Sequence, residues 1–446
     1  MATISADPGC VRLTDSKSQI CPVGDEPAVV LTDFDINRIV ERHRGSNNFR
    51  ILRWSLDSLG ETNGYLGSYY TLSVTVRIGE EKSKRELKFF AKTPPPSTSP
   101  QYDFLVRYDT FNKEMAVYSE LVPRMGTGSG PKWLPDYYLG KNNTIMVMED
   151  AKESGYITPD KFVPLDEEHC VWMVKMLSTF HSRSLIFDEK LRRASGQTIH
   201  DLYGHLLVEV AFIENDTMAR KYLLSGIKGA SAMVDLMEGL SDDQRTSVKD
   251  RIARWIVKLP RLLESSRKFR NLICHRDIWV NNIMFRRDST GRPTGCYLID
   301  YQFLRYSPPA LDFIFSLYLN TDRAIRNRLY DTFVDIYWDT MTSELKSEGL
   351  DVEECLPRSE FVESCEEIRD LALTYCIANM QIMLLTKDAV EQYFVGSTEE
   401  LQYVLYGDRR TELVLSQCRS MRAYQTRIIE ILEEIKDRLP DNPPNC

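Results

Sequence analysis

The sequence predicts an α+β chain of two lobes, a small β-rich N-lobe over residues 31–150 and a larger, mainly helical C-lobe over residues 151–446. Three observations carry that prediction. Before residue 150, apolar and polar residues alternate in short runs, as half-buried strands require. After residue 240, long runs instead place apolar residues at helical spacing. Within that second region lies His275-Arg276-Asp277-Ile278-Trp279-Val280-Asn281-Asn282, followed by the apolar run Cys296-Tyr297-Leu298-Ile299 and then Asp300. An Asp two residues after a His, an Asn five residues beyond it and a second Asp ending the next strand form the catalytic loop that a protein-kinase-like fold needs.

Each residue type suits phosphotransfer. Asp277 would accept the proton of an acceptor hydroxyl, Asn282 and Asp300 offer the hard oxygen ligands that magnesium prefers, and His275 is scaffold. The bland reading is that His-x-Asp recurs by chance and that an Asp closing a strand merely caps the next turn. The combination weighs against it. Asp288-Ser289-Thr290-Gly291 and Pro293-Thr294-Gly295 carry turn signals, so the two segments form a hairpin that brings three oxygen-bearing side chains into one cleft.

The elements follow in order. Residues 1–30, with Asp7, Asp15 and Asp25 and no continuous apolar core, read as a flexible tail and not as a signal peptide. Leu59-Gly60-Glu61-Thr62-Asn63-Gly64-Tyr65-Leu66-Gly67-Ser68 is a glycine-bearing hairpin before a strand over Tyr70–Ile78. Gly64, Gly67 and Ser68 would let backbone amides approach the phosphates of ATP, although such a turn is more often only a turn. Glu86-Leu87-Lys88-Phe89-Phe90-Ala91-Lys92 is a strand stopped by Pro94-Pro95-Pro96. Lys92 is either a solvated edge residue or a partner of nucleotide phosphates held by a carboxylate. Glu114 is placed to supply that carboxylate, on the flank of a helix whose Phe111, Met115 and Tyr118 recur at helical spacing. Thr144 to Asp150 is an apolar strand running into Glu149, which fits a hinge whose main chain meets adenine or simply the end of the strand.

The lobes are expected to meet near Asp150, in Ala151–Pro159. Cys170, Met173, Val174 and Leu177 form the apolar stripe of a helix from Asp166 to His181, with His181 a structural histidine beneath the catalytic loop. Ser241-Asp242-Asp243-Gln244 resembles a capping box that opens a helix toward Leu259, where Pro260 interrupts it. Ser359–Leu385 and Leu413–Leu439 read as long amphipathic helices packed on the C-lobe.

Composition sets limits. With 446 residues, 43% hydrophobic and 27% charged, the chain can bury a sizeable core. A net charge of −9, with no basic cluster flanked by stacking aromatics, argues against nucleic acid as a partner. No run reaches the length of a membrane span, and ten scattered cysteines without a Cys-x-x-Cys pair argue against zinc and disulfides. These features lead to the expectation of a cytoplasmic enzyme.

Several segments resemble one family, the insect ecdysteroid kinase-like (CHK kinase-like) proteins, relatives of choline kinases and aminoglycoside phosphotransferases. They are Phe89-Phe90-Ala91-Lys92-Thr93-Pro94, Phe111–Tyr118 with Glu114, Met148-Glu149-Asp150, Thr179–Ser184, Cys274–Phe285, Leu298–Gln302 and Arg305–Asp312. The resemblance runs roughly from Asp33 to Leu432. It implies an ATP-dependent, magnesium-using kinase of a hydroxyl on a small molecule, an ecdysteroid or a related steroid or xenobiotic alcohol. It assigns Asp277 as base, Asn282 and Asp300 as magnesium ligands, Lys92 and Glu114 as the phosphate-binding pair and Asp312 as support of the catalytic loop.

One position departs from the family. Arg276 stands where its members usually have Gly between the His and the Asp. Only 12 positions separate Asp300 from Asp312, which leaves no room for a phosphorylated activation segment for an arginine to hold. The expected partner of Arg276 is therefore a fixed carboxylate, with an anionic group of the acceptor as the alternative. Trp279, Tyr301, Phe303 and Tyr306 suit an apolar ring system, although aromatics near strand ends are often core. The rival readings are a choline or amino-alcohol kinase and a catalytically weak or dead kinase fold that only binds. Lys92, Glu114, Asp277, Asn282 and Asp300 are all present, which disfavours the dead fold.

Overall fold

The computed structural model describes residues 30–59, 67–79, 83–99, 101–395 and 398–444. The expected tail lies outside the described residues except for residue 30, and Gly64 lies outside them as well. The first helix, α1 (Asp33–Arg44), opens on a capping box in which Thr32 and Asp35 each accept from the other's backbone N–H, and it stops at Gly45 with φ +62°. Its buried stripe is Ile36, Ile39 and Val40.

That stripe meets a five-stranded sheet of β1 (Phe49–Ser58), β2 (Ser68–Ile78), β3 (Lys84–Thr93), β4 (Tyr137–Lys141) and β5 (Ile145–Glu149). The strand order is β1-β2-β3-β5-β4, antiparallel throughout. Leu72, Val74, Val76, Phe89, Ala91, Ile145 and Val147 bury one face with the helix stripe. Truncating one of these large side chains to alanine would cost about 2–5 kcal/mol. Lys92 projects from the opposite face of β3 to Ala91 and is nevertheless buried, because that side forms the roof of the cleft described below. Two short helices, α2 (Tyr102–Tyr108) and α3 (Thr110–Ala116), connect β3 to the rest, and α3 carries Glu114.

The remainder is mainly helical around small β-elements. The hairpin β8 (Ile283–Arg287) and β9 (Pro293–Leu298) pairs antiparallel, extended on one side by β6 (Tyr156–Ile157). The separate pair β7 (Leu272–Cys274) and β10 (Arg305–Ser307) flanks the catalytic loop. Pro293-Thr294-Gly295, expected in the turn, belongs to β9 instead, where proline is tolerated as the first strand residue. The turn itself is Asp288–Gly291, held by the Asp288 carboxylate accepting from Thr290 N at 2.8 Å.

The long helices depart from expectation at their ends. The helix expected to stop at His181 is α4 (Glu167–Ser195), which runs on because Leu185 and Ile186 extend its apolar stripe, and it stops only at Gly196 with φ +74°. After α5 (Thr217–Val234) comes α6 (Asp242–Ile256), which carries the Ser241–Gln244 capping box, and Pro260 sits in the first turn of a separate short helix, Leu259–Leu262. The buried α7 (Ala310–Asn320) is followed by α8 (Arg323–Ser347) against α4 and by α9 (Arg358–Met383) against α7. The expected single helix over Leu413–Leu439 is two, α11 (Arg410–Ser420) and α12 (Arg422–Arg438), after α10 (Thr398–Tyr406). Met421 breaks it in extended backbone, so α11 packs on α5 while α12 packs on α9. Among the described residues no single helix is long and apolar enough to cross a membrane.

Candidate active site

Asp312, in the first turn of α7 and fully buried, shapes the catalytic loop. Its Oδ2 accepts from His275 N at 2.5 Å and its Oδ1 from Arg276 N at 2.7 Å. His181 Nε2 adds a third contact at 3.1 Å, and its Nδ1 meets the Tyr337 hydroxyl at 2.8 Å. Such charge-assisted bonds fix a loop that has no ladder of its own. His275 Nε2 lies 3.0 Å from the Ile299 carbonyl, which can only accept, so that nitrogen carries the proton. Ile299 N in turn donates to the Asn282 carbonyl at 3.0 Å, tying the loop to the strand that delivers Asp300.

The expected residues converge on one cleft. Lys92 Nζ lies 2.6 Å from Glu114 Oε2 and 2.9 Å from Asp300 Oδ1. Burial alone would strip the proton from Lys92, but the carboxylates of Asp300 and Glu114 hold it on, so the ammonium stays charged. The other Asp300 oxygen accepts from Gln302 Nε2 at 3.0 Å. Asn282 Nδ2 donates to both the carbonyl and Oδ2 of Asp277, 2.9 Å each, which leaves its own Oδ1 available as a ligand. Burial, reinforced by the neighbouring Asp300, pushes the Asp277 carboxyl up to about 7.

The backbone there is unusual. Arg276 and Asp300 both adopt φ +70°, in the left-handed region. A glycine at 276 would occupy that conformation without strain, which is the physical reason the departure matters.

The remaining expected residues are placed differently. Ser68 begins β2, in register with Thr93, and a Cβ added at Gly67 would come 3.1 Å from Lys92 Cε, so this corner closes tightly on the lysine. Glu149 stands apart from the cluster: its carboxylate accepts from Lys132 Nζ at 2.6 Å, Asp136 N at 3.1 Å and Ser154 Oγ at 2.5 Å. It pins the connection after β5 with its side chain, and its own N–H donates to the Asp136 carbonyl at 2.8 Å.

A cavity of about 750 Å³ opens beside Asp277 and Asp300, a size suited to a rigid molecule of several rings. α2 forms one wall, and Phe212, Tyr222, Tyr375 and Tyr406 contribute aromatic surface. Of the aromatics singled out from sequence, Trp279 and Phe303 line it. Tyr301 is core, packed edge-on against Tyr118 and His275, and Tyr306 stacks toward His200 away from the cavity. Sequence reasoning missed Glu209, Phe212, Tyr222 and Tyr375, which belong to no motif. Only the resemblance of Tyr375's helix to a core helix bore on them at all.

Arg276 lines the same cavity and finds the expected carboxylate, Glu209, with Nη2 3.3 Å from Oε1. Behind the loop, His181, Cys274 and Asp312 come together with metal-ligand chemistry. Each is already engaged: the Cys274 thiol donates to the Ser307 carbonyl at 3.2 Å, and burial pushes its pKa well up. This cluster is loop support.

The sequence over residues 61–350 matches the ecdysteroid kinase-like family. No curated protein matches the chain. Similar solved structures include the GDP complex of a mutant aminoglycoside 2'-phosphotransferase-IIIa, with TM-score 0.38 and 13% identity over 91% of this chain and 98% of that one. The GDP and kanamycin complex of APH(2")-IIIa follows, with TM-score 0.34 and 13% identity over 86% and 93%. The family match spans well over half of the sequence and includes Lys92, Glu114 and the whole catalytic loop. The chain therefore belongs to the ecdysteroid kinase-like family, and with it to the kinases that phosphorylate small-molecule hydroxyl groups.

Proposed function

We propose that this protein transfers the γ-phosphoryl group of ATP, bound with Mg²⁺, to a hydroxyl of a multi-ring alcohol, a steroid such as an ecdysteroid or a xenobiotic of similar shape. The observation that carries the proposal is the convergence of Lys92, Glu114, Asp277, Asn282 and Asp300 at the mouth of an aromatic cavity. The donor set fits the nucleotide and its metal. Asp300 and the Asn282 Oδ1 are hard oxygen ligands, and Lys92, charged and held between two carboxylates, is a fixed cation for phosphate oxygens. When bound, the metal nucleotide supplies an activated phosphoryl group whose negative charge is neutralised.

This chain's own residues do the rest. Glu114 orients Lys92, so the cation needs little reorganisation as charge moves between phosphate oxygens. Asp277, aimed by Asn282, takes the proton of the acceptor hydroxyl and lines its oxygen up for attack. A carboxyl near pH 7 is matched to that task. The aromatic walls hold the ring system by apolar burial and keep water from competing as acceptor.

The decisive experiment is ATP consumption by the purified chain against ecdysteroids, phenolic glucosides and amino alcohols, with mass detection of the product. A phosphorylated steroid or glucoside is expected. Turnover confined to amino alcohols, or none at all with nucleotide bound, overturns the proposal.

A further inference from the structure

Arg276 is buried, 2% exposed, yet it lines the acceptor cavity. Its guanidinium carbon lies 5.0 Å from the ring centre of Phe212 and 5.7 Å from those of Phe303 and Tyr375. Three aromatic faces around one cation are the arrangement that recognises a ligand's ammonium group. Here the protein fills the cage with its own arginine.

The pairing with Glu209 does not use up that arginine. Glu209 Oε1 already accepts three backbone N–H groups, from Val210 at 3.1 Å, Ala211 at 2.8 Å and Phe212 at 2.9 Å. The 3.3 Å approach of Arg276 Nη2 is therefore an ion pair without a hydrogen bond, and both Nε and Nη2 are buried with no acceptor. Arg305 Nε reaches the second Glu209 oxygen at 3.6 Å, so two arginines share one carboxylate. Buried donors left without acceptors are destabilising, and the left-handed backbone at Arg276 adds to that cost. A tie to Glu209 alone does not account for such an arrangement.

Four carboxylates line the cavity with Arg276: Asp103, Asp216, Asp277 and Asp300. Asp216 caps α5 through Met218 N and Ala219 N and pairs with Arg107, Asp300 pairs with Lys92, and Asp277 is held by Asn282. Asp103 stands on α2 at the opposite wall.

We infer that Arg276 sets acceptor specificity: the cavity takes an alcohol that presents a carbonyl or carboxylate oxygen to the guanidinium, and it rejects alcohols carrying an ammonium group. The inference rests on the kinase reading above and deepens it. A cationic acceptor would find the cage occupied and meet a like charge beside it, whereas an oxygen acceptor seated beside Arg276 would meet a cation whose paired carboxylate is shared with Arg305.

The test uses the full chain and four hydroxysteroids identical except at one ring carbon, which carries a ketone, a carboxylate, no polar group or a dimethylamino group. Affinities come from calorimetry, so the readout does not depend on turnover. The ketone and carboxylate members are expected to bind about tenfold tighter than the unsubstituted one, with the amine weakest of all. Arg276→Met should shrink the ketone-to-amine ratio to within about threefold, and Arg276→Lys should keep the order with a smaller ratio. Should Arg276→Met misfold because Glu209 is left without a counter-charge, Arg276→Met combined with Glu209→Gln removes both charges and serves instead. An amine that binds the parent as tightly as the ketone, a ratio unchanged in Arg276→Met, or no binding by any member would overturn the inference. Phosphoryl transfer is scored separately. Discrimination without transfer supports the role of Arg276 and counts against the kinase reading, and transfer without discrimination does the reverse.

Discussion

Asn282 grips Asp277 at two points, its side-chain amide 2.9 Å from the main-chain carbonyl and 2.9 Å from the carboxylate. That double contact fixes both where the Asp277 backbone lies and which way its side chain points. Asp277→Asn keeps the shape but cannot take a proton. It should lower kcat on the order of 10²-fold or more while nucleotide affinity from calorimetry stays near the parent value, and unaltered turnover would remove Asp277 from its role.

Lys92 is 4% and Glu114 1% exposed, so water solvates neither side chain. Lys92→Met strands the carboxylate of Glu114 and should destabilise the protein by about 3–5 kcal/mol in urea denaturation. Adding Glu114→Gln should restore most of that stability without restoring nucleotide binding. A single variant as stable as the parent would show that the pair is not charged in the fold.

Asp312 offers a test of the loop's support. Asp312→Ala leaves two buried backbone N–H groups and the His181 ring without their acceptor, a loss of about 3 kcal/mol or more. Asp312→Asn, which keeps one carbonyl oxygen, should lose roughly half as much. Equal melting temperatures for the two variants would contradict this assignment.

Lys113 gives the chain a pH signature. Its Nζ donates to the carbonyls of Val208 and Leu304 at 3.2 and 3.1 Å, and burial pulls its pKa down to about 7. The folded protein therefore sheds this proton near pH 7, whereas the unfolded chain keeps it until above pH 10. Across that window the unfolded state binds more protons, so stability rises with pH, by up to about 1.4 kcal/mol per unit for one group. Relative to Lys113→Met, the parent should gain stability in urea titrations between pH 7 and 9. Parallel pH profiles for the two proteins would show that Lys113 is not the group responsible.

The catalytic loop and its partners were legible because their chemistry dictates residue type and spacing along a short segment. Lys92 and Glu114 were less directly readable: strand alternation put Lys92 on the face of Phe90 and helix spacing left Glu114 on the flank of its stripe, and only the family resemblance joined them as a pair. Element ends were less legible. The halt of α4 is set by Gly196, one turn signal among many, and the break at Met421 is set by which neighbours α11 and α12 meet. The acceptor cavity was not legible at all, since Phe212, Tyr375 and Tyr406 reach it from segments far apart in sequence. Glu209 could not be paired with Arg276 from sequence, because that contact depends on the path of the irregular chain before Ile213.

Arg276 and Asp300 occupy left-handed backbone that glycine would adopt freely, at roughly 1–2 kcal/mol each. What each side chain holds decides whether relieving that strain would help. At Asp300, glycine would relieve that strain but leave the buried Lys92 ammonium with one carboxylate in place of two, which is the larger loss. At Arg276, the relief offsets much of what the lost ion pair costs. A directed-evolution campaign that rewards thermal robustness alone would therefore keep the aspartate at position 300, so the strained corner is retained by the ion pair beneath it as well as by its proposed chemistry.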